Sequence, residues 1–193
     1  MNLACGKEFH IYTRANSNLD ELFTNREDYQ LFLNRYQRYL EPVFHTLAFC
    51  LMPNHYHLLV REKEAKKIID TVNETNKRIV LEAANALPYV RQQISNFHNS
   101  YAKAFNKIHQ RRGSLFQTKP KSKEIIDLVD LLELFRYIHN NPVNHGLVKD
   151  LQDWEFSSYL DYTAQREIGF ISKDELIQHF TTIEELKSFL ARG

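Results

Sequence analysis

The chain has 193 residues, 43% of them hydrophobic, so it can fold around a core. Five Gly and five Pro exclude a collagenous or low-complexity chain. With 25 basic and 24 acidic residues the formal net charge is +1, which excludes a uniformly basic nucleic-acid coat and an acidic tail protein.

Localisation is constrained by segments that the sequence lacks. No apolar run approaches the roughly 18–20 residues that a membrane span requires, and the first residues show no apolar segment typical of a signal peptide. Cys5 and Cys50 are too few for a disulfide framework or a zinc cluster. We therefore expect a reduced, soluble, cytoplasmic protein without a membrane partner.

The first third of the chain alternates between predicted strands and a helix. Period-two alternation in KEFHIYTRA predicts a strand over 7–15, and apolar residues at helical intervals predict an amphipathic helix over 26–40. The apolar run 43–52 ends at Met52-Pro53-Asn54, and a second strand resumes over 55–61. This pattern is typical of an antiparallel hairpin.

The remainder is mainly helical. Helix-prone residues extend from about 64 to 86, Pro88 interrupts them, and a second helix is predicted over 89–109. LFQTK predicts a short strand, and a third helix from Leu128 is expected to stop at Asn141-Pro142, with a last short helix near 182–191. Strands interleaved with helices and joined by a hairpin favour an α+β fold with an antiparallel sheet.

The basic residues are concentrated in one window. Residues 91–123 have eight Lys or Arg and no Asp or Glu, whereas residues 1–60 have five basic and six acidic side chains. A solvated surface and a surface that follows a nucleic-acid backbone both explain such a window. Most aromatic residues there fall on a helical apolar stripe, which leaves Phe116 as the better candidate for base stacking. The candidate DNA-binding residues are Arg91, Lys103, Lys107, Arg111, Arg112, Phe116, Lys119, Lys121 and Lys123.

His55 and His57 form the first candidate site. They lie two residues apart on a predicted strand, so both imidazoles project from the same face. Two neutral imidazoles side by side are a natural chelating pair for a divalent cation. The spacing also fits two polar residues on a solvent-facing edge, and a third ligand has to come from elsewhere.

Tyr101 lies on the apolar stripe of the helix predicted over 89–109, a position that fits a buried core tyrosine. The same position fits a nucleophile if this helix packs on the sheet that carries His55 and His57. The sheet-facing stripe would then meet a metal bound there. The pattern does not separate the two interpretations.

Four ordered segments resemble one known family. LAFCLMPNHYHLLVR is similar to the signature segment of the HUH-type tyrosine transposases, in particular the REP-associated (RAYT-like) branch related to small insertion-sequence transposases. The resemblance extends over most of the chain, through FHIYTRANSNLDELFTNREDYQLFL, SYAKAFNKIHQRRGSLFQ, and RYIHNNPVNHGLV with WEFSSY.

The resemblance implies a ferredoxin-like α+β core with a central antiparallel sheet. We expect one domain over 1–193, with a core over about 5–125 and a C-terminal helical extension over about 126–193. The resemblance further implies that His55 and His57 bind Mg²⁺ or Mn²⁺ and that Tyr101 is the nucleophile. The reaction would be a transesterification that cleaves single-stranded DNA near a hairpin, leaves a 5′-phosphotyrosine link and a free 3′-OH, and later rejoins strands.

The family pattern also includes a third metal ligand. In related transposases a polar residue one turn after the tyrosine completes the metal shell, but here that residue is Phe105, which cannot ligate. Asn106 is the next candidate, although it lies about 140° round the helix from Tyr101. His139 and His145 are interpreted as histidines satisfied within a turn rather than as ligands.

Two other functions stay open. A module that binds hairpin DNA without cutting it fits the absent ligand at position 105. A metal-dependent hydrolase of another kind would use the two histidines without forming a covalent DNA adduct. For the leading interpretation the partner is single-stranded hairpin DNA, the protein is nucleoid-associated when bound, and both a monomer and a homodimer fit the resemblance.

Overall fold

A computed structural model describes residues 6–16, 21–75 and 80–192. The main elements, in chain order, are β1 Glu8–Arg14, α1 Arg26–Tyr39, β2 Phe44–Met52, β3 His55–Glu62, α2 Ala65–Thr75, α3 Ala83–Ile108, β4 Lys121–Ile125 and α4 Leu128–Asn144. Three short helices follow a 3-10 turn: α5 Tyr159–Tyr162, α6 Asp174–Ile177 and α7 Ile183–Leu190.

The four strands form one antiparallel sheet in the order β2-β3-β1-β4. Together with the chain order β1-α1-β2-β3-α3-β4, this topology is ferredoxin-like and confirms the predicted α+β fold class. The predicted hairpin is β2–β3, in which Met52 pairs with His55 across the Pro53-Asn54 turn.

Helices cover both faces of the sheet. On one face α1 and α3 bury an aromatic core in which Phe32 and Phe97 pack with Tyr56 of β3. On the other face α4 buries Phe135 and Ile138 within a second apolar cluster that includes Leu59 of β3. The residues after position 125 therefore supply the second helical layer.

The observed boundaries differ from the predicted ones mainly near prolines. α3 continues through Pro88, because proline removes one hydrogen bond while the apolar stripe that follows stays packed on the sheet. α4 likewise includes Pro142 and ends at Asn144. α2 ends at Thr75, and residues 76–79 of the predicted 64–86 helix lie outside the described residues.

The strand predicted at LFQTK is wrong. Within it, Phe116 forms an isolated bridge to Ala15, and β4 begins later, at Lys121. The segment stays beside the end of β1 through single hydrogen bonds, such as Gln117 N to the Arg14 carbonyl (3.0 Å), before the ladder resumes.

Cys50 is a free, buried thiol, and Cys5 lies outside the described residues. Among the helices that the structure describes, none has both the length and the apolarity needed to cross a membrane.

Candidate active site

His55 and His57 open into a cavity of about 290 Å³ on the face of the sheet that α4 covers. The strand alternation of β3 produces this placement, because Tyr56 and Leu58 point into the opposite, α3-facing core. The prediction that both histidines share one face is thus confirmed. The other lining residues are Tyr12, Thr13, Arg14, Gln117, Thr118, Lys121, Tyr137 and His145.

Both histidines are neutral at physiological pH. Burial lowers the pKa of His55 to about 4; the Asn141 side chain opposes this effect, and the nearby His145 and Arg14 add to it. Burial, followed by the neighbouring His10 and His55, lowers the pKa of His57 to about 2. A neutral imidazole is the form that binds a metal ion.

The Nδ1 atoms of the two rings are already engaged. His55 Nδ1 donates to Asn54 Oδ1 at 2.6 Å, and His57 Nδ1 lies 2.8 Å from His10 Nε2. These contacts leave Nε2 of each ring as the nitrogen available to a ligand in the cavity.

One stripe of α4 faces the histidine pair. Tyr137 and Asn141 are four residues apart on the same side of α4, and His145, which caps the helix, follows at the same interval. The Tyr137 ring meets His57 edge-on at a centroid distance of 5.4 Å, and the His145 ring lies 5.4 Å from His55. Tyr137 is 46% exposed, so a substrate can reach it.

Asn141 supplies an oxygen that lacks a well-formed hydrogen bond. Its side-chain nitrogen donates to the Tyr137 carbonyl at 2.8 Å, while its buried Oδ1 has no well-formed hydrogen bond among the described residues and interacts with His55, whose pKa it raises. No three His, Cys, Asp or Glu side chains in the described ranges are arranged to hold a metal. The donor set that fits a divalent cation is therefore His55, His57 and the Asn141 amide oxygen, since a buried acceptor without a well-formed hydrogen bond is satisfied by a cation.

Tyr101 lies on the other side of the sheet, so the prediction that it meets the histidine pair is wrong. α3 packs on the face of Tyr56, and Tyr101 is 0% exposed there. Its hydroxyl donates to the Leu22 carbonyl at 2.7 Å. Burial, with smaller contributions from Asp28 and Tyr29, raises the pKa of Tyr101 far above its ordinary value. Of the two interpretations of Tyr101, the geometry matches the core tyrosine.

Asn106 is also absent from the histidine cavity. It accepts from the Arg111 guanidinium and donates to the Gly113 carbonyl at 2.9 Å, and so holds the turn that follows α3. The structure therefore contradicts its prediction as a metal ligand.

The histidines of the RYIHNNPVNHG segment differ from each other. His139 is buried, with Nδ1 bonded to the Phe135 carbonyl (3.0 Å) and Nε2 to Ser158 Oγ (2.8 Å), which confirms its interpretation as a satisfied histidine. His145, at the end of the helix, instead lines the cavity beside His55, and its interpretation as a satisfied histidine stays a prediction.

The residues of the basic window divide between two cavities. Lys121 lines the histidine cavity, whereas Arg91 and Lys119 line a larger one, about 590 Å³, between α3 and residues 113–120. The two cavities share Gln117 and Thr118, so they adjoin. The side chains of Lys103, Lys107, Arg112 and Lys123 are exposed, and Arg111 is half-buried.

Phe116 is 8% exposed and packs on the His98 ring at 4.4 Å. Its remaining exposed surface lines the larger cavity, and its role as a base-stacking residue stays a prediction.

Sequence reasoning missed Tyr137 and Asn141. Their signal was present as the four-residue spacing of Tyr137, Asn141 and His145, which marks one face of a helix. Pro142 hid it, because the proline indicated a helix stop at the position where the site is formed.

Comparisons with known proteins agree with the sequence resemblance. The chain is 31% identical over 118 residues to a Haemophilus influenzae protein described as "Putative REP-associated tyrosine transposase". That match covers 60% of this chain and 59% of the relative, so the chain spans less than two thirds of the relative's length. No protein-family model matches the sequence.

A solved structure has a similar fold. It is described as "Structure of the REP associates tyrosine transposase bound to a REP hairpin", and the match has a TM-score of 0.54 and 15% identity over 88% of this chain and 93% of that one. Together the two comparisons confirm the resemblance to REP-associated tyrosine transposases.

Proposed function

Because the chain resembles REP-associated tyrosine transposases in sequence and in fold, we propose that it is a metal-dependent endonuclease and strand-transferase of single-stranded DNA. The proposed substrate is DNA that forms a hairpin, as in the complex with the similar fold. Tyr137 is the proposed nucleophile, and His55, His57 and Asn141 are the proposed metal ligands.

The observation that carries this proposal is the position of Tyr137. Its ring contacts His57, and Asn141 follows it by one helical turn, with its side chain beside His55. This arrangement is the one that the resemblance implies, a tyrosine followed one turn later by a polar residue that completes the metal shell. Tyr101 meets neither condition, because Phe105 follows it and the sheet separates it from the histidines.

In the proposed reaction the Tyr137 phenol is the only protein group that becomes covalently linked to the DNA. The Tyr137 oxygen attacks the phosphorus while the bond from phosphorus to O3′ breaks. The phenol loses its proton and the leaving O3′ gains one, which gives a 5′-phosphotyrosine and a free 3′-OH. An incoming 3′-OH reverses the exchange, so joining requires no ATP.

The neutral donor set suits a divalent cation. Two imidazole nitrogens and one amide oxygen carry no negative charge, so they would not offset the positive charge of Mg²⁺ or Mn²⁺. That charge would remain to attract an anionic ligand. When bound, such a cation polarises a phosphate and stabilises charge on its oxygens.

Two cations beside the histidines are suited to contact the DNA backbone. Arg14, at the end of β1, and Lys121, at the start of β4, both line the histidine cavity. The adjoining larger cavity, with Arg91 and Lys119, continues the basic surface towards α3. We therefore place the cleavage site over the first cavity and the neighbouring strand over the second.

A covalent-adduct assay tests the proposal. Labelled single-stranded hairpin oligonucleotides incubated with the protein and Mn²⁺ should yield a denaturation-resistant protein–DNA adduct. The adduct should disappear with chelator and in Tyr137→Phe, which removes the attacking oxygen. Tyr101→Phe is the matched control and should still form it, because that hydroxyl contacts a backbone carbonyl far from the cavity.

Each outcome has a defined meaning. An adduct that survives Tyr137→Phe overturns the choice of nucleophile, and Tyr12→Phe then tests the other tyrosine that lines the cavity. Tight hairpin binding without any adduct favours the binding module. The argument for the binding module is that position 105 offers no metal ligand. The proposed ligand Asn141 would fill that place, which weakens the argument.

A further inference from the structure

His10 contacts the histidine pair although it is outside the cavity lining. It lies on β1 two residues before Tyr12, and Tyr12 pairs with His57 across the β1–β3 ladder. The rings of His10, Tyr12 and His57 stack at mutual interplanar angles of 26–27°, with His10 and His57 centroids 5.0 Å apart. The stacking fixes the His10 ring relative to His57.

The hydrogen bond between the two imidazoles decides which nitrogen of His57 is free. His10 Nε2 and His57 Nδ1 are 2.8 Å apart, so one proton lies between them. If His57 is the donor, its Nε2 carries a lone pair towards the cavity. If His10 is the donor, the His57 proton sits on Nε2 and blocks ligation there.

The neighbouring histidine shows which arrangement the site uses. His55 Nδ1 is bonded to Asn54 Oδ1, an atom that can only accept, so His55 carries its proton on Nδ1. The His55 Nε2 lone pair is therefore free. For both rings to bind one cation, His57 must have the same tautomer, and His10 must be the acceptor.

We propose that His10 is a positioning residue that accepts the His57 Nδ1 proton and thereby presents His57 Nε2 to the divalent cation. This inference rests on the proposed metal site. Partners of this kind orient metal-binding histidines and raise their basicity. An imidazole in this position supplies an acceptor without adding a negative charge close to the phosphate that the cavity would receive.

Three variants separate this role from a packing role. His10→Phe keeps a ring for the stack with Tyr12 but removes the acceptor. His10→Gln restores an acceptor, because Gln Oε1 lies at a distance from the backbone similar to that of His Nε2. His45→Phe is the matched control, since His45 is a half-buried strand histidine of β2 whose Nδ1 lies 3.3 Å from Ser172 Oγ.

The first measurement is the His57 tautomer, read from ring ¹⁵N shifts of the metal-free protein. We expect the proton on Nδ1 in the unmodified chain and a shift of the population towards the Nε2–H form in His10→Phe. His57 with its proton on Nε2 in the unmodified chain would overturn the role assigned to His10.

The second measurement is Mn²⁺ affinity by calorimetry, without DNA. His10→Phe should bind Mn²⁺ about 10- to 100-fold more weakly, His10→Gln should recover much of the loss, and His45→Phe should match the unmodified chain. Equal affinity in His10→Phe and the unmodified chain would overturn the proposal. No Mn²⁺ binding by the unmodified chain is a different result, because it removes the metal site itself together with the role of His10.

Discussion

α3 and α4 each place a tyrosine over the same sheet, but on opposite faces. Tyr101 of α3 is 0% exposed and surrounded by aromatic rings, whereas Tyr137 of α4 is 46% exposed and contacts His57. The sheet face, and not the residue type, decides which tyrosine lies beside the histidine pair. β3 supplies both environments, because Tyr56 and His57 are neighbours that point in opposite directions.

The largest expected effect comes from removing the Asn141 oxygen. Asn141→Leu should abolish Mn²⁺ binding and the covalent adduct, because it deletes the third proposed ligand and leaves the histidine pair alone. Asn141→Asp should retain both, since a carboxylate oxygen also ligates Mn²⁺. Calorimetry and the adduct assay measure the two effects, and normal Mn²⁺ binding by Asn141→Leu would show that another group supplies the ligand.

The second prediction compares how alanine substitution of each tyrosine affects the free energy of unfolding. Tyr101→Ala should lower the free energy of unfolding by about 3–5 kcal/mol, because it empties a large buried site and deletes the hydrogen bond to Leu22. Tyr137→Ala should lower it by less than about 1 kcal/mol, because half of that side chain faces solvent. Urea unfolding of both variants gives the comparison.

Activity should follow the reverse order, with Tyr137→Ala inactive and folded Tyr101→Ala still forming an adduct. A Tyr101→Ala protein that is folded and inactive would instead indicate Tyr101 of α3 as the nucleophile. It would contradict the assignment of reactivity to the α4 face of the sheet.

The third prediction concerns the pH dependence of stability, to which buried histidines on both faces of the sheet should contribute in the same direction. Burial lowers the pKa of His98, on the α3 side, and of His139, on the α4 side, from 6.5 to about 3. Between pH 6.5 and about pH 3, the unfolded chain therefore binds protons that the folded chain does not. The free energy of unfolding is retained above pH 6.5 and decreases as the pH falls towards 3. His10, His55 and His57 act in the same direction.

Urea unfolding between about pH 7.5 and pH 4.5 measures this dependence. His98→Gln and His139→Gln should each make it shallower, because each removes one group that protonates on unfolding. A slope unchanged in both variants would show that other groups carry the acid sensitivity.

The smallest effect distinguishes two exposed lysines. Lys121→Gln and Lys103→Gln should each weaken hairpin binding modestly and reduce the slope of log affinity against log salt concentration by about 0.7. Lys121→Gln alone should also slow adduct formation, because Lys121 lines the histidine cavity. Equal adduct rates in the two variants would remove the special role of Lys121.

Much of the fold could be predicted from the sequence, because its signals are local. The alternation around Phe9 and Ile11 indicated β1, the break at Pro53-Asn54 indicated the β2–β3 turn, and the spacing of His55 and His57 placed both imidazoles on one face. Period-two and helical patterns are properties of single elements, so one sequence is enough to detect them.

Which tyrosine lies beside the histidine pair could not be predicted in the same way. Which face of a sheet a helix covers depends on the connections between elements, and the apolar stripe of α3 looks the same in either case. Tyr101 therefore fitted two roles, and the resemblance pointed to a helix that packs on the face of the sheet opposite the histidine pair. Pro142 concealed the helix that does face the histidine pair, because α4 continues past a residue that usually ends a helix.

The Asn141 oxygen also affects how stable this protein is. A buried acceptor without a well-formed hydrogen bond costs a fold about 1–3 kcal/mol, and a bound cation would supply a partner. Metal loading at this oxygen should therefore raise the melting temperature of the chain, because a ligand that binds only the folded state stabilises it. Asn141→Leu should make the metal-free protein more resistant to heat while it destroys the site, which is the sign of a residue kept for function at the expense of the fold.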